Sequence, residues 1–155
     1  MAHTLHMFYR NTTHDTWRAR SQTYIIGCNH MDESKEKIEI CPSDHIQEKG
    51  KGVRFPVTVQ GENAVGFVIR YQGTAHGYVN RCAHIAMELD WAEGEFFESS
   101  GLYLMCATHG AIYEPDTGRC AGGPCQGGRL KPITIIEQEQ KLFWQPNSEI
   151  TPARA

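Results

Sequence analysis

The side chains best suited to chemistry in this 155-residue sequence are six cysteines and eight histidines. Four of them form two short mixed motifs, Cys82-Ala83-His84 and, after 21 intervening residues, Cys106-Ala107-Thr108-His109-Gly110. Each motif offers one thiolate and one imidazole, so two loops laid side by side bring two of each to one site. A single zinc ion accepts Cys₂His₂ in a tetrahedron, although zinc fingers of that composition usually pair Cys with Cys and His with His in each half. The mixed halves suit a binuclear centre with two different irons, Cys82 and Cys106 on one, His84 and His109 on the other. Two neutral imidazoles in place of thiolates remove negative charge and make reduction easier.

The rest of the sequence narrows the setting. Its length suits one domain plus a tail. The 40% hydrophobic and 21% charged fractions are those of a globular chain. A formal charge of −3 gives no basic footprint for nucleic acid. No run approaches the ~20 apolar residues of a membrane-spanning helix, and the first thirty residues lack the apolar stretch of a secretory signal. A cytoplasmic location is expected, where thiols stay reduced and serve as ligands rather than disulfides.

The two motifs need strands to present them. Phe55, Val57 and Val59 alternate, as do Val65, Phe67, Ile69 and Tyr71, the period of half-buried strands. Gln60-Gly61-Glu62-Asn63 and Gln72-Gly73 read as turns, the second leading into a strand over Thr74 to Asn80. Leu102 to Met105 is a fourth run, and Ile133 to Glu137 with Lys141 to Trp144 a closing hairpin. Both motifs therefore begin loops at strand ends. The pattern predicts an all-β sandwich or barrel. The boundaries expected are a loosely ordered extension over 1–37, a domain over 38–145 and a C-terminal tail over 146–155, with Met31 a conceivable alternative start.

Cys-x-His followed by Cys-x-x-His-Gly resembles the signature of the Rieske [2Fe–2S] family. Gly110, Tyr113, Thr117-Gly118 and Gly122-Gly123-Pro124 extend the likeness through the second cluster loop, its following turn and the proline loop that shields the cluster. The resemblance covers about two-thirds of the chain. It implies an antiparallel β-sandwich with a small cluster-binding subdomain of two loops, and one [2Fe–2S] cluster per chain on Cys82, His84, Cys106 and His109. It also implies exposed imidazoles as the electron port, with reduction coupled to protons, and backbone N–H groups of Ile85, Gly110 and Ala111 aimed at the sulfides.

Met87 and Thr108 occupy the positions where respiratory relatives carry a disulfide between the loops, so the chain resembles the soluble ferredoxin type. Too little chain remains for an oxygenase catalytic domain. The function implied is an electron carrier, not an enzyme, between a reductase and a terminal oxygenase. A Rieske-type small subunit of a nitrite reductase, whose members generally lack the ligands, and a metal-based sensor are the alternatives. Of two positions that tune the potential, one is Ala111 where a Ser would bond a sulfide, and the other keeps Tyr113. A potential below that of the disulfide-containing class but above the floor of its own class follows.

Other residues have weaker claims. Cys120 and Cys125 flank the proline loop and read as small buried hydrophobes, with a structural or redox-active pair as the alternative. Cys28 and Cys41 have no ligand-like partner; His76 belongs to a strand, His45 to a polar turn, and His3, His6, His14 and His30 to the extension. Glu88, Asp90, Glu93, Glu95 and Glu98 read as a solvated loop, with an acidic docking surface as the sharper alternative. Trp91 and Phe96-Phe97 are expected to anchor that loop to the core.

Overall fold

A computed structural model describes residues 36–154. Cys28, the four N-terminal histidines and nearly all of the expected extension fall outside the described residues. Ten strands follow in order: β1 Ile38–Pro42, β2 Val53–Val59, β3 Glu62–Tyr71, β4 Thr74–Val79, β5 Leu104–Met105, β6 Ile112–Tyr113, β7 Cys120–Gly122, β8 Pro132–Gln138, β9 Lys141–Gln145 and β10 Ile150–Pro152. One 3₁₀ turn over Ser43–His45 follows β1 and contains His45.

Seven strands form a curled antiparallel sheet in the order β1-β9-β8-β4-β3-β2-β10, and β5-β6-β7 form a second, small sheet. The all-β expectation is met. Three hairpins of the large sheet turn on two residues each: Gln60-Gly61, Gln72-Gly73 and Glu139-Gln140, all at positive φ. Such turns match the right-handed twist of the strands they join. The first is therefore tighter than the sequence suggested, with Glu62 and Asn63 already paired to Val59 and Thr58. The run over Leu102 to Met105 is strand only at Leu104–Met105, because Leu102 lies in a turn held by Glu98.

The centre of β3 departs from the half-buried reading. Gly66, Phe67, Val68 and Ile69 are all buried, since the sheet is covered on both faces. Phe67 and Ile69 enter a core beneath the small sheet with Leu89, Phe96, Leu104 and Leu130. Val68 enters the other core with Phe55, Val57, Leu142 and Trp144. Each such side chain contributes ~1.5–3 kcal/mol from burial, so β3 is the wall shared by both cores. No side chain fits at Gly66: a Cβ there would lie 2.7 Å from the Phe55 ring.

Residues 146–155, expected as a tail, supply β10, which pairs with β2 through Ile150↔Val59 and Pro152↔Val57. The Asn147 carboxamide oxygen accepts from the N–H groups of Glu149 and Ile150, at 2.9 and 2.8 Å, and turns the chain back. Ile150 is then buried in the second core.

Candidate metal centre

Two loops carry the four candidate ligands. The first leaves β4 and closes on itself through Cys82 N–H donating to the Met87 carbonyl at 2.8 Å. The second leaves β5 and closes through Cys106 N–H to the Ala111 carbonyl (2.8 Å) and Gly110 N–H to the Cys106 carbonyl (3.0 Å). Gly110 has φ +69, the left-handed conformation this tight return requires. Ala107 N–H donates to the Leu89 carbonyl at 2.8 Å and fastens the second loop to the chain leaving the first.

This framework sorts the donors by chemistry. Cys82 and Cys106 are buried in the core beneath the small sheet, whereas His84 and His109 are exposed. The imidazole centroids lie 5.2 Å apart with the rings near perpendicular, at 89°. The two thiols lie close enough that each shifts the other's ionisation. Among the described residues no three His, Cys, Asp or Glu side chains converge as one metal ion would need. The donors are grouped two and two, which fits a binuclear cluster with thiolate and imidazole ends better than one tetrahedral ion.

Hydrogen bonds prepare the buried end for negative charge. Burial opposes ionisation of Cys82, but donation from Tyr113, the backbone N–H groups of His84 and Ile85, and Cys106 outweighs it, so its pKa falls below the ordinary value. Cys106 is raised, first by burial and then by the neighbouring Cys82, against donation from the N–H groups of Thr108 and His109. Ile85 N–H, expected to face a cluster sulfide, is directed at the Cys82 sulfur instead, and Gly110 N–H is committed to the Cys106 carbonyl.

Tyr113 is fully buried on β6, its hydroxyl 3.1 Å from Cys82 Sγ. The same oxygen accepts from Ala83 N–H at 3.0 Å. Burial, then the hydrogen bond to Cys82, pushes the phenol well above its ordinary pKa, so it keeps its proton and donates. Ala111 is buried, with no hydroxyl to offer.

The acidic run is not a free acidic surface. Asp90 is buried and accepts from Asn80 Nδ2 (2.7 Å), Gly94 N–H (2.9 Å) and Arg54 Nη1 (3.3 Å). Asn80 Oδ1 accepts in turn from Leu89 N–H at 2.8 Å, so one network ties both ends of the first loop to β2. Sequence reasoning missed this clamp, and the only local signal for it is an Asn immediately before Arg81-Cys82. Glu88 pairs with Arg54 (2.8 Å) and Glu95 with Lys51 (3.4 Å), while Glu98 caps the turn at Ser100 to Tyr103. Phe96 stacks on Phe67 with centroids 3.8 Å apart, as an anchor should. Trp91 does not anchor: it is 89% exposed, because Leu89 and Asp90 occupy the inward positions beside it.

Cys120 and Cys125, read as packing residues, form a disulfide, their Cα atoms 5.7 Å apart. The turn through Gly122 and Gly123 folds the chain back enough to bring them within bonding range. Cys41 is a buried thiol in the other core. His76 lies on β4 as expected.

The family model for the Rieske [2Fe–2S] domain matches residues 36–146. The chain belongs to the Rieske [2Fe–2S] domain family. One [2Fe–2S] cluster is the cofactor of such a domain. Rieske-fold solved structures include the ferredoxin of carbazole 1,9a-dioxygenase from Nocardioides aromaticivorans IC177, 19% identical, with 72% of this chain and 98% of that chain covered at a TM-score of 0.57. A Sphingomonas yanoikuyae B1 ferredoxin is likewise 19% identical, with 72% and 99% covered and a TM-score of 0.56. The terminal oxygenase of carbazole 1,9a-dioxygenase from Novosphingobium sp. KA1 is 20% identical over 77% of this Rieske chain but 32% of its own, at a TM-score of 0.57. At these identities the likeness is one of fold. No curated protein sequence matches the chain significantly. Among the described residues no helix is long and apolar enough to cross a membrane.

Proposed function

We propose that this Rieske chain is a one-electron carrier in which Cys82 and Cys106 hold one iron and His84 and His109 the other. It would take its electron from a reductase and deliver it to a terminal oxygenase in the cytoplasm, all bond-making chemistry being left to those partners. The observation that carries the reading is the segregation of donors, a buried cysteine pair behind an exposed histidine pair. The bound cluster supplies a one-electron store.

Each residue has a separable task. Cys82 and Cys106, surrounded by N–H donors, offset ferric charge inside a dry core. Tyr113 holds its proton toward Cys82 and favours added negative charge there. His84 and His109 bind through one ring nitrogen and keep the rest of each ring at the surface, where a partner approaches closely. The segments 83–87, 107–112 and 121–128 around them contain no Asp, Glu, Lys or Arg, so a partner meets little charge that must be desolvated there. The oxygenase as acceptor is supported by a neighbour of the same fold described as a complex of reduced oxygenase and oxidized ferredoxin in carbazole 1,9a-dioxygenase, at a TM-score of 0.55.

The deciding experiment is aerobic purification with iron and sulfide analysis, then EPR during reductive titration. Two irons, two sulfides and one electron per chain are expected, with the cluster lost on replacing Cys82 or Cys106 by Ala. A colourless, zinc-loaded protein overturns the reading.

A further inference from the structure

Among the described residues, the disulfide is a chemically distinctive feature that electron carriage leaves unused. Residues 118–130 form a narrow hairpin, joined by Leu130 N–H to the Gly118 carbonyl (2.8 Å), Cys120 N–H to the Gly128 carbonyl (3.0 Å) and Gly128 N–H to the Cys125 carbonyl (2.8 Å). The Cys120–Cys125 bond closes the tip of this hairpin. The hairpin touches both ligand loops, the second through Gly123 inside the disulfide-closed tip and the first through Gly128, beyond it. A Cβ on Gly123 would lie 2.6 Å from the Gly110 carbonyl oxygen, and one on Gly128 would lie 2.9 Å from Ala83 Cβ. Cys125 is buried in the core that holds Cys82 and Cys106, while Cys120 is half-buried at its edge.

We infer that Cys120–Cys125 is a second, two-electron redox site: a dithiol-exchangeable latch that holds the Gly122–Pro124 cover against the second ligand loop and sets how readily the cluster is reached by water and chelators. The inference rests on the ligand assignment proposed above. The reductant it would take is a vicinal dithiol. One thiolate of the dithiol attacks the Sγ of Cys120, the less buried residue of the pair, and forms a mixed disulfide as the Sγ–Sγ bond breaks. Cys125 leaves as a thiolate and takes a proton. The second thiol of the dithiol, as its thiolate, then displaces Cys120, which is protonated in turn. The protein has gained two electrons and two protons, and the dithiol has become a cyclic disulfide. With the tie gone, the short cover loop regains conformational freedom and its hold on Gly110 slackens.

The test uses full-length holoprotein purified in air, with iron and sulfide measured first so that a missing cluster is recognised separately from a failed latch. Alkylation under denaturing conditions, followed by peptide mass mapping, is expected to leave Cys120 and Cys125 unmodified until dithiothreitol is added. Iron release to a chelator is then timed after anaerobic removal of the dithiol. Opening is expected to accelerate release by roughly tenfold, and reoxidation to restore the slow rate. The C120S/C125S double variant is expected to release iron at the fast rate with or without dithiothreitol pretreatment. The wild-type reduction and reoxidation cycle decides the matter if that variant does not fold. Alkylation of both cysteines before any dithiol, or equal release rates with the bond verified open and closed, overturns the latch.

Discussion

Tyr113→Phe removes a single oxygen from a fully buried position and keeps the ring that fills it. Two hydrogen bonds disappear, one to Cys82 Sγ at 3.1 Å and one from Ala83 N–H at 3.0 Å, and they affect different observables. The bond to sulfur strengthens when the site gains negative charge. Hydrogen bonds to charged groups contribute ~1.5–3 kcal/mol. If about 1 kcal/mol of that range is gained only in the reduced state, it corresponds to roughly 40 mV at ~59 mV per tenfold change in a one-electron couple. The potential of the variant should therefore fall by about 40 mV. The Ala83 N–H is left without its acceptor, but Ala83 is exposed and water can replace part of the bond. The stability loss should then stay near ~1 kcal/mol. Protein-film voltammetry reads the first quantity and urea unfolding the second. A variant with a full cluster and an unchanged potential refutes the role of Tyr113 in tuning, whatever happens to stability. A large loss of stability with the potential unmoved would make Tyr113 a loop support only.

Other expectations follow from the same contacts. Asp90→Ala leaves Asn80, Gly94 and Arg54 without their shared acceptor, and urea unfolding should show a loss of ~3 kcal/mol, with cluster loss accelerated because both ends of the first loop are freed. Hydrogen bonds from Ser100, with Leu102 and Tyr103 adding, lower Glu98 from 4.5 to about 2. A depressed folded pKa contributes stability above about 4.5 that disappears as pH falls towards about 2. Glu98→Gln should accordingly flatten the acid limb of a thermal-melting profile across that window. Gly66→Ala places a methyl group 2.7 Å from the Phe55 ring in the wall between the two cores, and should lower stability by ~1–3 kcal/mol in chemical denaturation.

The four candidate ligands were visible in the sequence because each pair is local: a cysteine, one or two intervening residues, a histidine, all on one loop. The large hairpins were visible for the same reason, since alternation and a two-residue turn are properties of adjacent residues. What escaped was set by partners far along the chain. Asp90 looks like its acidic neighbours until Asn80 and Arg54 close over it, and Trp91 looks like an anchor until Leu89 takes the inward place. β10 is three residues long, too short to show a period, and exists because β2 offers an unpaired edge. Cys120 and Cys125 were read through the usual chemistry of their expected compartment, whereas the glycine turn between them determines their distance.

The two ends of the seven-stranded sheet bear on how this protein meets others. At one edge β1 carries an irregularity between Glu39 and Cys41 and finishes in Pro42. At the other, β10 stops after three residues with Pro152. A bulge, a short strand and a residue without an N–H are the devices by which sheets discourage an incoming strand. Among the described residues, neither rim thus offers a long, flat template for an incoming strand. Such borders steer contacts away from strand addition and towards the loops, which suits the brief encounters that the proposed carrier role requires.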